Sequence, residues 1–242
     1  MNIGKIVVGL AVVGTTIWGF LAPPAQGFMH EDLARILFWH LPYAFITVIF
    51  LFAGAWQSIK VLRSAGQPTV DFRAEAANEL AMLFALITMV TGILFSKAQW
   101  NAWWSWDPRQ TSFLFVLLIL FAYFALRAGI SDRVKRAVNS AAYCIAALLP
   151  ILFLIFVLPR LPQVQSLHPS NTIAGGGLKG DYWYVVLANF VLFTFIAHWL
   201  YTMRVKVSHL EWDRENRDAR MDDGGHGAAT GVVRPLSLSD EN

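Results

Sequence analysis

The stretch VNSAAYCIAALLPILFLIFVL, residues 138–158, runs for twenty-one residues without a charge. As a helix rising about 1.5 Å per residue, it reaches the roughly 30 Å of a bilayer's hydrocarbon core. Arg133, Lys135 and Arg136 precede it and Arg160 follows, so charge brackets the run without entering it. Five further stretches read the same way: 5–22, 41–59, 80–96, 111–127 and 182–203. None alternates apolar and polar residues as the strands of a membrane barrel do. The fold class expected is therefore all-α: a polytopic membrane protein, a bundle of six transmembrane helices with an outer tryptophan-rich loop.

Composition agrees. Of 242 residues, 56% are apolar and 14% charged, against about 45–50% and about 25% in soluble domains. Mean hydropathy is +0.50. These values exclude an ordinary soluble domain, and disorder over most of the chain. A cleaved signal peptide is the alternative for the first span. Its apolar stretch exceeds the roughly 7–15 residues of a signal core, and Ala22-Pro23-Pro24-Ala25 is a poor small-x-small site. The one cysteine, Cys144, excludes an internal disulfide, a paired-thiol zinc site and a CxxCH haem-attachment motif. It reads as a small buried hydrophobe.

Basic residues orient the spans. Six spans put 14 of the 19 Lys and Arg on one side and leave Arg35, Lys97, Arg109, Arg160 and Lys179 on the other. Both termini are expected in the cytoplasm. Residues 1–203 form the membrane domain. Residues 204–242, polar and nearly free of aromatics after Trp212, are expected to form a flexible cytoplasmic tail. His209 and His226 sit there without partners at metal-site spacing.

The loop between the third and fourth spans reads KAQWNAWWSWDPRQT, residues 97–111. An aromatic belt at the headgroups accounts for one or two tryptophans. Four indoles together, Trp100, Trp103, Trp104 and Trp106, instead suit a flat aromatic ligand. If 99–105 is helical, Trp100, Trp103 and Trp104 share a face. Asp107, Pro108 and Gln110 read as the start of the fourth span: an N-cap, Pro at the first helical position and a capping-box Gln. Arg109 is placed to pair with a ligand carboxylate. His40, at the outer mouth of the second span, and His168, in the loop before the sixth, flank this loop on the same side. Imidazole is a common haem-iron ligand. His30 lies outside in a polar stretch, His198 lies within the sixth span, and both read as structural. Pro150 is expected to kink the fifth span.

These residues together resemble the WWD-motif proteins that handle haem in cytochrome c assembly, and most of all the haem exporter protein C (CcmC) family. The resemblance rests on the loop Trp100 to Thr111; on Ala22-Pro23-Pro24, Gln26-Gly27, Arg35-Ile36 and His40-x-Pro42-x-Ala44; on Leu167-His168; and on the length and six spans. It covers most of residues 5–203. It departs from the family at Asn101 and at Pro108-Arg109-Gln110-Thr111, where the Asp-Pro form is closer to the haem-lyase subunit CcsA.

The resemblance implies a carrier in the bacterial inner membrane that holds haem b transiently and without a covalent bond. His40 and His168 would be the axial ligands of the haem iron, the only metal expected. The tryptophan loop with Asp107 would be the platform, and Arg109 and Arg35 the propionate partners. The haem chaperone CcmE would receive the haem, and the ABC transporter pair CcmA and CcmB and the small CcmD would be partners. No enzymatic chemistry is implied in this chain, which has no Walker A pattern. The alternatives are the membrane subunit of a CcsA-type cytochrome c synthase, or a scaffold or permease with an aromatic belt.

Overall fold

The computed structural model describes residues 3–24, 27–168 and 180–228, with side chains of the last helix to Ala219. Of the residues singled out above, Ala25, Gln26 and Lys179 lie outside the described residues, as does the side chain of His226. Among the described residues, six helices are long and apolar enough to cross a membrane: α1 (Ile3–Leu21), α2 (Leu37–Arg63), α3 (Pro68–Trp100), α4 (Pro108–Ala128), α5 (Arg133–Leu152) and α6 (Asp181–Ala228). A 3-10 turn, Leu33–Ile36, leads into α2. Past α5 the chain continues through a π turn, Phe153–Val157, and a 3-10 turn, Leu158–Arg160. Pro150 lacks the N–H that would bond the carbonyl four residues back, and the helix widens three residues beyond it. α6 passes Met203 without a break.

α2 and α3 form the central hairpin. α5 and α6 lie against α2, α4 packs on α3 and α5, and α1 leans on α6. The hairpin turn needs glycine: Gly66 has φ +79, and a Cβ there would stand 2.7 Å from Val138 of α5. Pro68 then opens α3 at a position whose N–H has no helical partner. α2 carries Pro42 in its interior, which orphans the Phe38 carbonyl. The buried Asn189 of α6 donates its Nδ2–H to that carbonyl at 3.0 Å. A proline fault in one span is thus repaired by a polar side chain from another, as an apolar surround demands.

The two ends of the bundle are held differently. At the end carrying the α2–α3 and α4–α5 turns, α3 presents Asp71, Glu75 and Glu79 on one face at four-residue spacing. Arg127 of α4 pairs with Asp71 (2.8 Å) and Glu75 (3.0 Å). Arg204 of α6 clasps Glu79 through two nitrogens, at 2.6 and 2.9 Å. Arg133 pairs with Glu215 and lies over the Trp212 ring, so α6 beyond Met203 packs back on the bundle. The opposite end, where α3 gives way to α4, opens instead into a cleft.

Candidate functional site

The cleft has a volume of about 180 Å³ and runs between α2, α3, α4 and the π turn. Its α2 wall is His40, Ala44 and Val48, one stripe at four-residue spacing in which small side chains below the imidazole leave room. α3 supplies Thr88, Met89 and Gly92; α4 supplies Arg109, Gln110 and Phe113; Ile155 of the π turn and His168 complete it.

His40 sits in the first turn of α2, against α3. A Cβ at Gly92 would come within 3.2 Å of its Cε1, so glycine is what lets the ring lie there. Its Nδ1 is 2.9 Å from Thr91 Oγ1, which is itself 2.8 Å from the Ile87 carbonyl and 3.1 Å from that of Thr88.

His168 is held by Asp107. The carboxylate is 3.3 Å from His168 Nδ1 and accepts from Leu167 N–H at 2.6 Å, from Ser166 Oγ–H at 3.0 Å and from Arg109 N–H at 2.9 Å. The last of these is the N-cap bond of α4. Burial by itself would raise this carboxyl's pKa. The hydrogen bonds from His168 and from the Leu167 and Arg109 amides outweigh it and hold the group well below the usual carboxylate range. Trp100 meets the His168 ring at 4.9 Å between centroids.

Arg109 points into the same space. Its Nε and Nη2 are buried with no hydrogen-bond partner among the described residues. A buried guanidinium left so is costly unless an anion completes it. Arg35 is engaged elsewhere. It bonds the Ala22 carbonyl at 2.8 Å and Asp32 at 2.7 Å, and it is not among the residues lining the cleft.

The tryptophan loop is not helical. α3 stops at Trp100 because Asn101 turns left-handed, φ 56, so Trp100, Trp103 and Trp104 do not share a helical face. Trp104 packs on the core with its ring edge-on to Trp106. Trp103, 57% exposed, lies under the Lys97 ammonium, and Trp106 is 74% exposed. None of the four lines the cleft. Gln110 does not close the capping box onto Asp107. It takes Ser105 N–H at 3.3 Å and gives to the Trp103 carbonyl at 3.1 Å, pinning the loop whose own amides have no helix to join.

His198 is exposed in a groove between α6 and the start of α1, and His209 packs edge-on to Phe72. Gln99 holds the backbone of His30 at both its N–H and its carbonyl. Cys144 is buried and gives its S–H to Asn78. Among the described residues, no group of three His, Cys, Asp or Glu side chains could hold a bare metal ion. Thr91, Gly92 and Ser166 escaped the sequence reading, since nothing local marks them.

Fold and site together define a multi-pass helical membrane protein whose cleft joins two histidines to an arginine with two nitrogens unpaired among the described residues. The family profile described as Heme exporter protein C, CcmC, matches residues 2–220, and the chain belongs to that family. It is 29% identical over 143 residues to the Heme exporter protein C of Paracoccus denitrificans, covering 58% of this chain and 58% of that protein. It is 26% identical over 169 residues to that of Rhodobacter capsulatus, covering 68% and 66%. To that of Escherichia coli K12 it is 28% identical over 160 residues, covering 64% and 62%. The matched segments span about three fifths to two thirds of those relatives' length.

Proposed function

We propose that this protein carries haem as cargo in cytochrome c maturation, holding it in the cleft and passing it to the haem chaperone CcmE. CcmA, CcmB and CcmD are its partners in the inner membrane, and the cleft opens at the outer face. The observation that carries this reading is the meeting, on one apolar-walled cleft, of two imidazoles and a guanidinium whose buried Nε and Nη2 have no partner among the described residues. The set fits haem: Nε2 of His40 and of His168 for the two axial positions of the iron, Arg109 for a propionate, and Phe113, Met89 and Ile155 against the macrocycle. Trp103 and Trp106, exposed beside the cleft mouth, are suited to contact with the receiving protein. On this reading the chain carries haem without making or breaking a bond to its edge.

The test is a titration of the detergent-solubilised protein with haem and with haem dimethyl ester. Haem should bind near one per chain and give a sharp Soret band, while the ester, which cannot pair with Arg109, should bind at least tenfold more weakly. No Soret change with haem would overturn the reading.

A further inference from the structure

We infer that Thr91 and Asp107 lock His40 and His168 into the same tautomer, Nδ1 protonated and Nε2 free, through acceptors of unequal strength. His168 is thereby the firmer ligand and His40 the one that lets go. The tautomer part stands on geometry alone; the ligand part rests on the function proposed above.

A threonine hydroxyl carries one hydrogen and two acceptor lone pairs. Thr91 Oγ1 lies 2.8 Å from the Ile87 carbonyl and 3.1 Å from that of Thr88. Carbonyls only accept, and a helical threonine commonly gives its hydroxyl hydrogen back to such a carbonyl, which takes it away from His40. Towards His40, 2.9 Å away, Thr91 has only a lone pair left, and Nδ1 must bring the proton. A neutral imidazole protonated at Nδ1 has its lone pair on Nε2. The same conclusion holds at His168, because a carboxylate also only accepts. Its Nδ1 faces Asp107 Oδ1 at 3.3 Å.

The two acceptors differ. The Thr91 oxygen is neutral; that of Asp107 is charged. Hydrogen bonds with an ionised partner are about twice as strong as neutral ones, and a carboxylate behind a ligating histidine raises its basicity. Asp107 is also fixed by three other donors, so His168 is held in direction as well. His40 has only neutral acceptors, the Thr91 hydroxyl and the Thr88 carbonyl, and the space left by Gly92. A carrier needs such inequality: one arm that keeps the cargo while the other opens to a receiving protein.

The experiment uses the full-length protein with ¹⁵N-labelled histidine, without haem, at a pH where both rings are neutral. Long-range ¹H–¹⁵N correlation reads which ring nitrogen bears hydrogen. Both His40 and His168 should show Nδ1–H. Thr91→Val should move His40 alone towards the Nε2–H pattern, and Thr91→Ser should restore it. Nε2–H at His40 in the wild type, or no change in Thr91→Val, would overturn the lock. With haem added, Asp107→Asn should keep the His168 tautomer, because the amide oxygen still accepts, yet weaken haem binding about 10–100-fold, the usual range for losing an outer partner of a ligand. It should also raise the haem reduction potential. His168→Ala should lose haem more completely than His40→Ala. Equal losses would overturn the inequality. Absence of haem binding in every form would instead sink the function, leaving the tautomer result intact.

Discussion

Asp107, which caps α4, also faces His168 Nδ1 at 3.3 Å. One carboxylate therefore sets both where a span begins and where a loop histidine points.

Replacing Asp107 by Ala is expected to do more than remove a cap. The cap alone costs about 0.5–2 kcal/mol. Leu167 N–H and Ser166 Oγ–H, in a partly exposed loop, also lose their acceptor, which brings the loss to the upper part of that range. Detergent unfolding of Asp107→Ala against the wild type measures it.

The same carboxyl has a pH signature. Its folded pKa lies below the ordinary value of about 3.9. Its contribution to stability is then fully present above that unfolded value and lost as pH falls through the lowered one. The stability gap between wild type and Asp107→Asn should be constant from pH 7 to about 5 and shrink below about 4. A gap that widened on acidification would contradict the hydrogen-bond pattern at Asp107.

Arg109→Ala should weaken haem by about tenfold or more, the loss of one charge-assisted pair at about 1.5–3 kcal/mol. The Soret position of what remains bound should be unchanged, because the guanidinium does not ligate iron. Haem content and spectrum of the one variant check both halves.

Trp103→Ala and Trp106→Ala should keep wild-type haem content, since neither ring lines the cleft, and should lower transfer to the chaperone. Trp100→Ala removes the ring beside His168 and should broaden or shift the Soret band. Haem loss in Trp103→Ala would bring the loop back over the cargo as its platform.

Arg127→Met leaves Asp71 and Glu75 facing each other without their cation. Breaking a buried pair costs about 3–5 kcal/mol. Resistance to unfolding should fall accordingly while the haem spectrum stays as in the wild type, because this clamp lies at the other end of the bundle.

Much of this molecule is legible in its sequence, and the limit is physical. The spans are legible because every residue in such a run carries the same signal, and Asp107-Pro108 marks the start of α4 because capping is local. Both cleft histidines stand out as imidazoles beside apolar runs. Long-range partners do not. Thr91 reads like any β-branched residue of a span, and only packing α2 on α3 shows that its hydroxyl meets His40. Asn189 looks like a polar intruder until Pro42 is seen to free the Phe38 carbonyl. The tryptophan loop misleads because helix-like spacing at Trp100, Trp103 and Trp104 continues past the point where Asn101 turns left-handed. Arg35 looks as available as Arg109, and only the fold shows it tied to Ala22 and Asp32.

The central claim is that His40 and His168 together ligate the haem iron. Its most direct test is the absorption spectrum of the haem-loaded protein and its single-histidine variants in one detergent. The wild type, His30→Ala and His198→Ala should all give a six-coordinate low-spin spectrum. His40→Ala and His168→Ala should each lose it, and exogenous imidazole should restore it. A low-spin spectrum persisting in His40→Ala or His168→Ala, or lost in His30→Ala or His198→Ala, would contradict the assignment.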